Sequence, residues 1–552
     1  MEENLWDKYE KLVRYNSSFR QNKNYYESIK VWNGFYNGDQ WQGLEGDKKL
    51  PHPVFNIIKR IIEFKIASLT SSNIAVNIEP LENMALDVDV GGFLNAEINN
   101  LFEKCGFEGK IKDALLDGAI TGDMCIHTVF NPDKQAYRGK NIKGEIEIEL
   151  IDATNVGFGN PNITDVEKQP YIIILGRDTV KNLQKEAKKH IEADNETQYQ
   201  VTDYTEIEGD EEGKALYIYY YYKKDGKVFC SKATKDVEIF KDVDMKMSRY
   251  PIAFANWYRQ KNTFHGRGEV EGICPNQISI NKLFAMVIYH QMTTAFPTAI
   301  YDKDLLKSWS NEIGTAIEVK GLANSGKSFK DVAGYLQPAS MSDAIIKIID
   351  LVFQYTKECL GVSDASLGQV NPTNTSAIIA VQKSTAVPLA NIKDNLYDLV
   401  EQEVLILLDI MAAKYGIRPV LMDEDGTRQL VDFDFGLLQN MDLKTNVDVG
   451  ESTYWSEIST MQTLDNLLAA ERIDFIDYLE RMPENIIPNK AELISKLKEA
   501  QQQAPLQQGG NNNEMYEQMA QYMDTLPMEE QARIRNMQPE EQENYLLNLM
   551  QQ

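Results

Sequence analysis

Apolar positions along this chain fall on two periods, and the switching between them predicts a mixed helix-and-sheet architecture of α+β class. Residues 3–31 follow helical spacing, after which "VWNGFYNGDQWQG" sets Gly and Asn turn signals among aromatics. After Pro53, "VFNIIKRIIEFKIASLTS" returns to a helical pattern through Ile57, Ile61 and Ile62. The run "IAVNIEP" alternates with period two and predicts a strand, and residues 84–120 read as helix again. Strand-like segments follow: "MCIHTVF", "GEIEIELID", "PYIIILG" and "ALYIYYYYKKDGKVFC". In the last of these, Asp225-Gly226 between two β-prone runs predicts a hairpin.

The second half is more helical. "NQISINKLFAMVIYHQMTTA" (276–295) predicts a helix about 30 Å long. It is too apolar to face water all round and too polar for lipid, so one face must meet protein, in its own chain or a neighbouring copy. Short strands "TAIYD" and "TAIEVKG" are expected on either side of a helix-like "DLLKSWSN", and "SDAIIKIIDLVFQYTKECLG" predicts another apolar helix ending at Gly361. The polar "VSDASLGQVNPTNTS" reads as a loop. Residues 377–415 read as one helix about 60 Å long, closed by Gly416. Pro388 removes a backbone donor inside it and predicts a kink. "RPVLMDEDGTRQLVDFDF" predicts a hairpin turning at Asp425-Gly426, and residues 453–500 predict short helices with Pro488 as a boundary. A Gln/Gly/Asn linker, "QQQAPLQQGGNNNE", cannot bury a core. Beyond it "LPMEEQARIRNM" and "QPEEQENYLLNLM" look like two copies of one helical unit, each opened by Pro and acidic residues. Such units suit either partner docking or a self-packed helical hairpin.

Composition narrows the function. The 552 residues, 43% of them hydrophobic, are enough for about three or four domains with a substantial core. Against 83 acidic side chains stand 57 basic ones, a formal charge of −26. The chain therefore has no overall surplus of cations with which to neutralise nucleic-acid phosphates. Its five cysteines never adopt C-x-x-C spacing and its five histidines never form H-E-x-x-H, which suits a reducing compartment and gives no metal site, cofactor or disulfide framework. The acidic "EIEGDEEGK" lacks the ligand spacing of an EF-hand and reads as a solvated loop. With no signal-peptide pattern and no apolar run of about 18 residues, the expectation is a soluble, cytoplasmic protein without a membrane span.

One motif points elsewhere. "GLANSGKS", Gly321 to Ser328, satisfies the phosphate-loop pattern G-x-x-x-x-G-K-[ST] in every letter. A working phosphate loop needs a strand before it and a long helix after it, so that the phosphates sit on the helix N-terminus. "TAIEVKG" meets the first need, but "FKDVAGYLQPAS" fails the second, because Gly334 interrupts it and Pro338 ends it. The surrounding elements do not alternate as βαβ units. The one run resembling a metal-binding acidic strand, "VLILLD", sits inside the long helix. A nucleotide-hydrolysing P-loop protein is thus the alternative reading, and Lys327 and Ser328 fit better in a polar turn. No G-x-S-x-G or Cys/His signature stands out, so the chain reads as structural and not as an enzyme.

Several segments, taken in order, resemble the portal proteins of tailed bacteriophages. These are "FYNGDQW" with "PVFNIIKRIIEFKIASLTSSNIAVNIEP", then "DALLDGAITGDMCIHTVF", then "IELIDATNVGFGNPNITDVEKQPYIII". "YPIAFANWYRQKNTFHGRGEVEGICPNQISINKLFAMVIYHQ" and "GVSDASLGQVNPTNTSAIIAVQKSTA" complete a similarity over roughly residues 25–460. The resemblance implies a portal fold: a funnel-shaped ring, usually of twelve copies, at one capsid vertex of the virion, assembled in the host bacterial cytoplasm. It implies a wing over 1–270, a first stem helix over 271–296, a clip over 297–339 and a second stem helix over 340–361. A tunnel loop (362–376), a long wing helix (377–416), a β-hairpin returning to the wing (417–452) and a crown (453–500) follow, ahead of the linker and terminal helices at 501–552.

Family membership would make double-stranded DNA the cargo, and the terminase, head–tail adaptor, major capsid protein and scaffolding protein the partners. A P-loop NTPase of the packaging motor, using "GLANSGKS", is the alternative, and another virion scaffold the weaker one. A channel with acidic or polar walls engages the DNA backbone only weakly, which suits sliding. Gln369, Asn371, Thr373 and Asn374, in a loop without Lys or Arg, are the candidates for transient contact with phosphates. Asn324, Lys327 and Lys330 are the candidates for the clip's docking surface.

Overall fold

The computed structural model describes residues 4–18, 24–42, 50–70, 74–80, 90–136, 142–193, 205, 207–295, 299–310, 318–320, 326, 328–335, 341–362, 387–424, 427–441, 443–449, 454–470, 472–482, 490–503, 520–535 and scattered positions up to 549. They fall into two compact units, one of residues 1–422 and 430–450, the other of 423–429 and 451–552.

In the first unit, side-chain caps decide where the opening helices start. Asn4 accepts from Trp6 N at the head of α1 (Leu5–Ser17), Asn24 from Tyr26 N at α2 (Tyr25–Asn37), and Asn56 from Lys59 N at α3 (Ile57–Leu69). The single helix expected over 3–31 is therefore two. α2 also runs through the expected turn at "VWNGFYN", because Trp32, Phe35 and Tyr36 bury together on one face, and it stops only at Gly38 with φ 99°. β1 (Ile74–Pro80) matches its predicted limits. The helix expected over 84–120 is divided into α4 (Val90–Cys105) and α5 (Phe107–Thr121) by Gly106 at φ 61°.

Next come β2 (Asp123–Gln135), β3 (Lys143–Leu150), β4 (Val156–Phe158), β5 (Tyr171–Thr179) and α6 (Val180–Ala193). β6 (Lys214–Lys224) and β7 (Lys227–Ala233) form the predicted hairpin, with Asp225 at φ 52° and Gly226 at φ 76°. β8 (Glu238–Asp244) and β9 (Ile252–Asn256) complete two antiparallel sheets, ordered β4-β5-β6-β7-β8 and β3-β2-β9.

α7 (Glu269–Ala295) leads to β10 (Ala299–Tyr301), the single turn α8 (Phe329–Val332) and β11 (Ala333–Tyr335). Then follow α9 (Asp343–Cys359), α10 (Ala390–Lys414), β12 (Ile417–Glu424), β13 (Thr427–Asp434) and β14 (Leu443–Val449). α10 buries Leu396, Leu399, Val400, Val404, Leu407 and Met411 in the same core as Ile126, Ile146 and Ile148 of the β3-β2-β9 sheet. β1 pairs antiparallel with β14, Ile74 opposite Val449, so early and late parts of the chain share this core.

A buried carboxylate ties the unit together. Asp123 Oδ1 accepts from Asn256 Nδ2 at 2.8 Å and from the Gly266 amide at 2.6 Å. Its Oδ2 accepts from the Tyr25 hydroxyl at 2.9 Å and faces His265 Nδ1 at 2.6 Å. His265 Nε2 in turn lies 3.1 Å from Asn16 Oδ1. α2, β2, β9 and the segment entering α7 thus meet at Asp123, and His265 extends the cluster to α1. The backbones must approach closely for this, and a Cβ on Gly122 would stand 2.6 Å from the Gly266 carbonyl carbon.

The second unit contains α11 (Tyr454–Ala469), α12 (Phe475–Arg481), α13 (Lys490–Gln503) and α14 (Met528–Arg535). Leu464, Tyr478, Leu479 and Met482 form one small core. Ile534 and Leu546, one from each repeat-like terminal unit, form another with Met523, Leu526, Tyr545 and Leu549 around them, as a self-packed helical hairpin requires. Removing the hub carboxylate with Asp123→Ala leaves its buried donors unpaired and is expected to destabilise the protein by about 3–5 kcal/mol. A denaturant or thermal midpoint unchanged from wild type would contradict that role.

Candidate functional site

α7 is held at its base and uncovered further along. Glu269, in its first turn, pairs with Lys65 of α3 at 2.9 Å, both side chains buried. Glu269 Oε2 also accepts from Trp257 Nε1 at 2.9 Å and the Tyr258 hydroxyl at 3.1 Å. Burial, helped by the Glu269 charge, raises the Tyr258 phenol well above its ordinary value.

Two turns on, Gln277 Nε2 donates to the Phe55 carbonyl (2.8 Å) and Asn281 Oδ1 (2.9 Å), and its Oε1 accepts from Ile57 N (3.1 Å). Asn281 Nδ2 donates to Gln40 Oε1 at 2.7 Å, and Gln40 Nε2 to the Phe35 carbonyl at 2.9 Å. This amide ladder sits on the same buried face of α7 as Ile273 and Ile280. Each buried amide left unpaired would cost roughly 1–3 kcal/mol, so the ladder fixes both the rotation and the register of the helix. The predicted helix began at 276; the structure adds two turns before it, with Pro275 inside.

Beyond Ala285 no residue of α7 is buried. Met286 and Met292 are each more than half exposed, and Tyr289 is exposed beside them. α9 packs against α7 through Asn276 Nδ2 to Thr356 Oγ1 (3.2 Å) and through the edge-to-face pair Phe284–Phe353. Only Ile349 and Thr356 of α9 are buried, while Ile346, Ile348, Leu351 and Tyr355 stay exposed. An apolar surface spread over two helices in this way marks a protein contact.

Between the two helices, β10 pairs antiparallel with β11, Ala299 opposite Tyr335. This corrects two expectations. The second strand of this sheet is "AGY", whereas "TAIEVKG", expected as a strand, is described only at residues 318–320, which have no strand structure. Residues 304–310 of "DLLKSWSN" form turns and irregular chain instead of a helix. Trp309 lies between the rings of Tyr301 and Tyr335, at centroid distances of 6.2 and 5.5 Å. These aromatic contacts draw the segment toward the small sheet in place of helix formation.

Of the phosphate-loop letters, Gly326 and Ser328 are described. Gly326 has φ 63°, and Ser328 starts the single turn α8, where its amide donates to Asp331 Oδ2 at 2.8 Å. A four-residue helix has little dipole to offer a phosphate, and the amide of its N-cap Ser328 is already taken by Asp331. Lys330 is exposed on α8, while Asn324 and Lys327 lie outside the described residues.

Gln369, Asn371, Thr373 and Asn374 also lie outside the described residues. The chain on either side of them is brought together: Gly361 adopts φ 68°, and a Cβ there would stand 2.6 Å from Pro388 Cβ. Pro388 lies in the 3-10 turn Val387–Leu389 that enters α10, so the described helix begins two residues after it. The expected kink depends on residues 377–386, which lie outside the described residues.

A model of the phage P22-like portal protein family matches residues 177–545. The chain belongs to that family. No curated protein matches it. The match begins inside β5 and takes in α7, the β10–β11 sheet, α9, α10 and the second unit. Portal proteins are structural components of the phage particle, in line with an expectation of structure over catalysis. Among the described residues no helix is long and apolar enough to cross a membrane. Gly361→Ala would force a left-handed conformation on an L residue against Pro388, and a loss of about 1–2 kcal/mol is expected. Faster hydrogen exchange in the last turn of α9 and the first of α10 would report it, and unchanged exchange would contradict it.

Proposed function

We propose that the chain is one subunit of a ring, of twelve copies as is usual for portals, that forms the channel for double-stranded DNA at one capsid vertex. DNA enters through it during packaging and leaves through it at ejection. The observation that carries this reading is the apolar face shared by α7 and α9, uncovered in the single chain although the base of α7 is locked by buried polar contacts. In a ring each subunit would cover its neighbour's stem with such a face, whose rotation is set by the amide ladder.

In this reading α7 and α9 are the stem, residues 297–339 the clip, 362–376 the tunnel loop, α10 the long wing helix and residues 453–500 the crown. The tunnel-loop side chains Gln369, Asn371, Thr373 and Asn374 would touch phosphates one at a time, and the charge of −26 keeps the protein from gripping DNA. Asn324, Lys327 and Lys330, with the aromatic cluster of Tyr301, Trp309 and Tyr335, would serve the terminase during packaging and the head–tail adaptor afterwards. The capsid protein and scaffolding protein would meet the outer wing.

Leu351→Glu places a charge on the exposed face of α9 and leaves the core of the chain untouched. It is expected to shift the protein from ring to monomer in light scattering, with the thermal midpoint of the monomer unchanged. A ring that persists in L351E would contradict the stem contact. ATP hydrolysis by the purified wild-type chain, abolished by Lys327→Ala, would contradict the portal reading as a whole.

A further inference from the structure

We propose that Glu403 is a proton-operated latch between the long helix α10 and the central sheet, closed when its carboxyl is neutral and loosened when it ionises. Glu403 is fully buried in the middle of α10, in a helix face otherwise made of Leu396, Leu399, Val400, Val404 and Leu407. Its Oε1 takes a 2.6 Å hydrogen bond from the Thr128 hydroxyl of β2. Its Oε2 has no hydrogen-bond partner among the described residues. A charged carboxylate with one neutral donor and one bare oxygen is strongly disfavoured in such a site, whereas a carboxylic acid is tolerated.

Among the described residues, the groups around it supply no compensating cation. The 3-10 turns Val387–Leu389 and Phe435–Asn440, and β9, carry no titratable side chain. β2 brings Cys125, whose thiol is pushed up by burial and, more weakly, by the charges of Asp123 and Glu403. It also brings Asp123, bound in the hub, and His127, bonded to the Tyr221 hydroxyl and held neutral by burial. β3 contributes Lys143, Glu145, Glu147 and Glu149, of which Glu145 and Glu147 are paired with Lys134. β14 contributes Lys444, which is exposed. On α10 itself Glu401 accepts from Thr445, and Asp409 accepts from the amides of Ser248 and Arg249.

Burial alone pushes the Glu403 carboxyl up to about 7 from its ordinary 4.5, against a smaller downward pull from the Thr128 hydroxyl. A carboxyl that holds its proton more tightly folded than unfolded makes the closed state most stable below its unfolded value. That stability declines as pH rises toward the folded value and is constant above it. The latch matters for the site because α10 opens at Leu389 and Pro388, against Gly361 at the end of α9. A loosened α10 would shift the end of the stem.

Hydrogen exchange of α10 amides, corrected for the intrinsic pH dependence of exchange, tests this on the full-length protein. Wild-type protection is expected to fall about tenfold per pH unit between about pH 5 and 7 and to level off above. Glu403→Gln keeps the shape and removes the proton, so it should abolish that slope; a slope equal to wild type would overturn the latch. Glu97 on α4 is also raised to about 7, chiefly by burial, so Glu97→Gln is the control and should retain the α10 slope. If E403Q does not fold, Thr128→Val reports instead. Losing the hydroxyl should move the levelling-off to higher pH, and an unmoved profile would overturn the proposal.

Discussion

The buried amide ladder running from the Phe35 carbonyl through Gln40, Asn281 and Gln277 to the backbone at Phe55 and Ile57 fixes how α7 leaves the body of the protein. Apolar packing alone would let a helix of this kind rotate or slide by a residue at small expense. Buried amides do not, because each misalignment strands a donor or an acceptor in a dry environment. With the Lys65–Glu269 pair below it, the ladder determines which face of α7 points outward, and so where the uncovered Met286, Tyr289 and Met292 lie. α9 then inherits its position by packing on α7, and the Gly361–Pro388 contact carries that position on to α10.

Where the chain's local pattern agreed with its final packing, the fold was legible from sequence. β1, the β6–β7 hairpin and α3 announce themselves through period-two alternation, an Asp-Gly turn and isoleucines at helical spacing. The misses have physical causes. Gly34 and Gly106 carry the same letter, but one is absorbed inside α2 by the packing of its aromatic neighbours and the other ends a helix in a left-handed conformation. α6 has only a narrow stripe, Leu183 and Ala187, among lysines and polar residues. β9 is buried at every position, so it shows no alternation to read.

The candidate site was legible as helices and not as contacts. An over-apolar 276–295 segment already demands a protein neighbour, and exposed Ile346, Leu351 and Tyr355 on α9 add to that demand. Gln277 and Asn281, four residues apart on the buried stripe of the same segment, were the available signal for the ladder, but polar residues at that spacing equally suit a solvated face until their partners are seen. The phosphate-loop letters illustrate the opposite error. A pattern describes residue identities, whereas phosphate binding needs a long helix with free amides, and α8 is one turn closed by Asp331.

Family membership and the uncovered faces of α7 and α9 both support the proposal that copies of the chain cover one another in a ring. Electron microscopy of the purified wild-type protein tests this most directly. Closed rings with a central hole wide enough for duplex DNA are expected. A population of monomers only, with α7 and α9 still folded, would contradict the account.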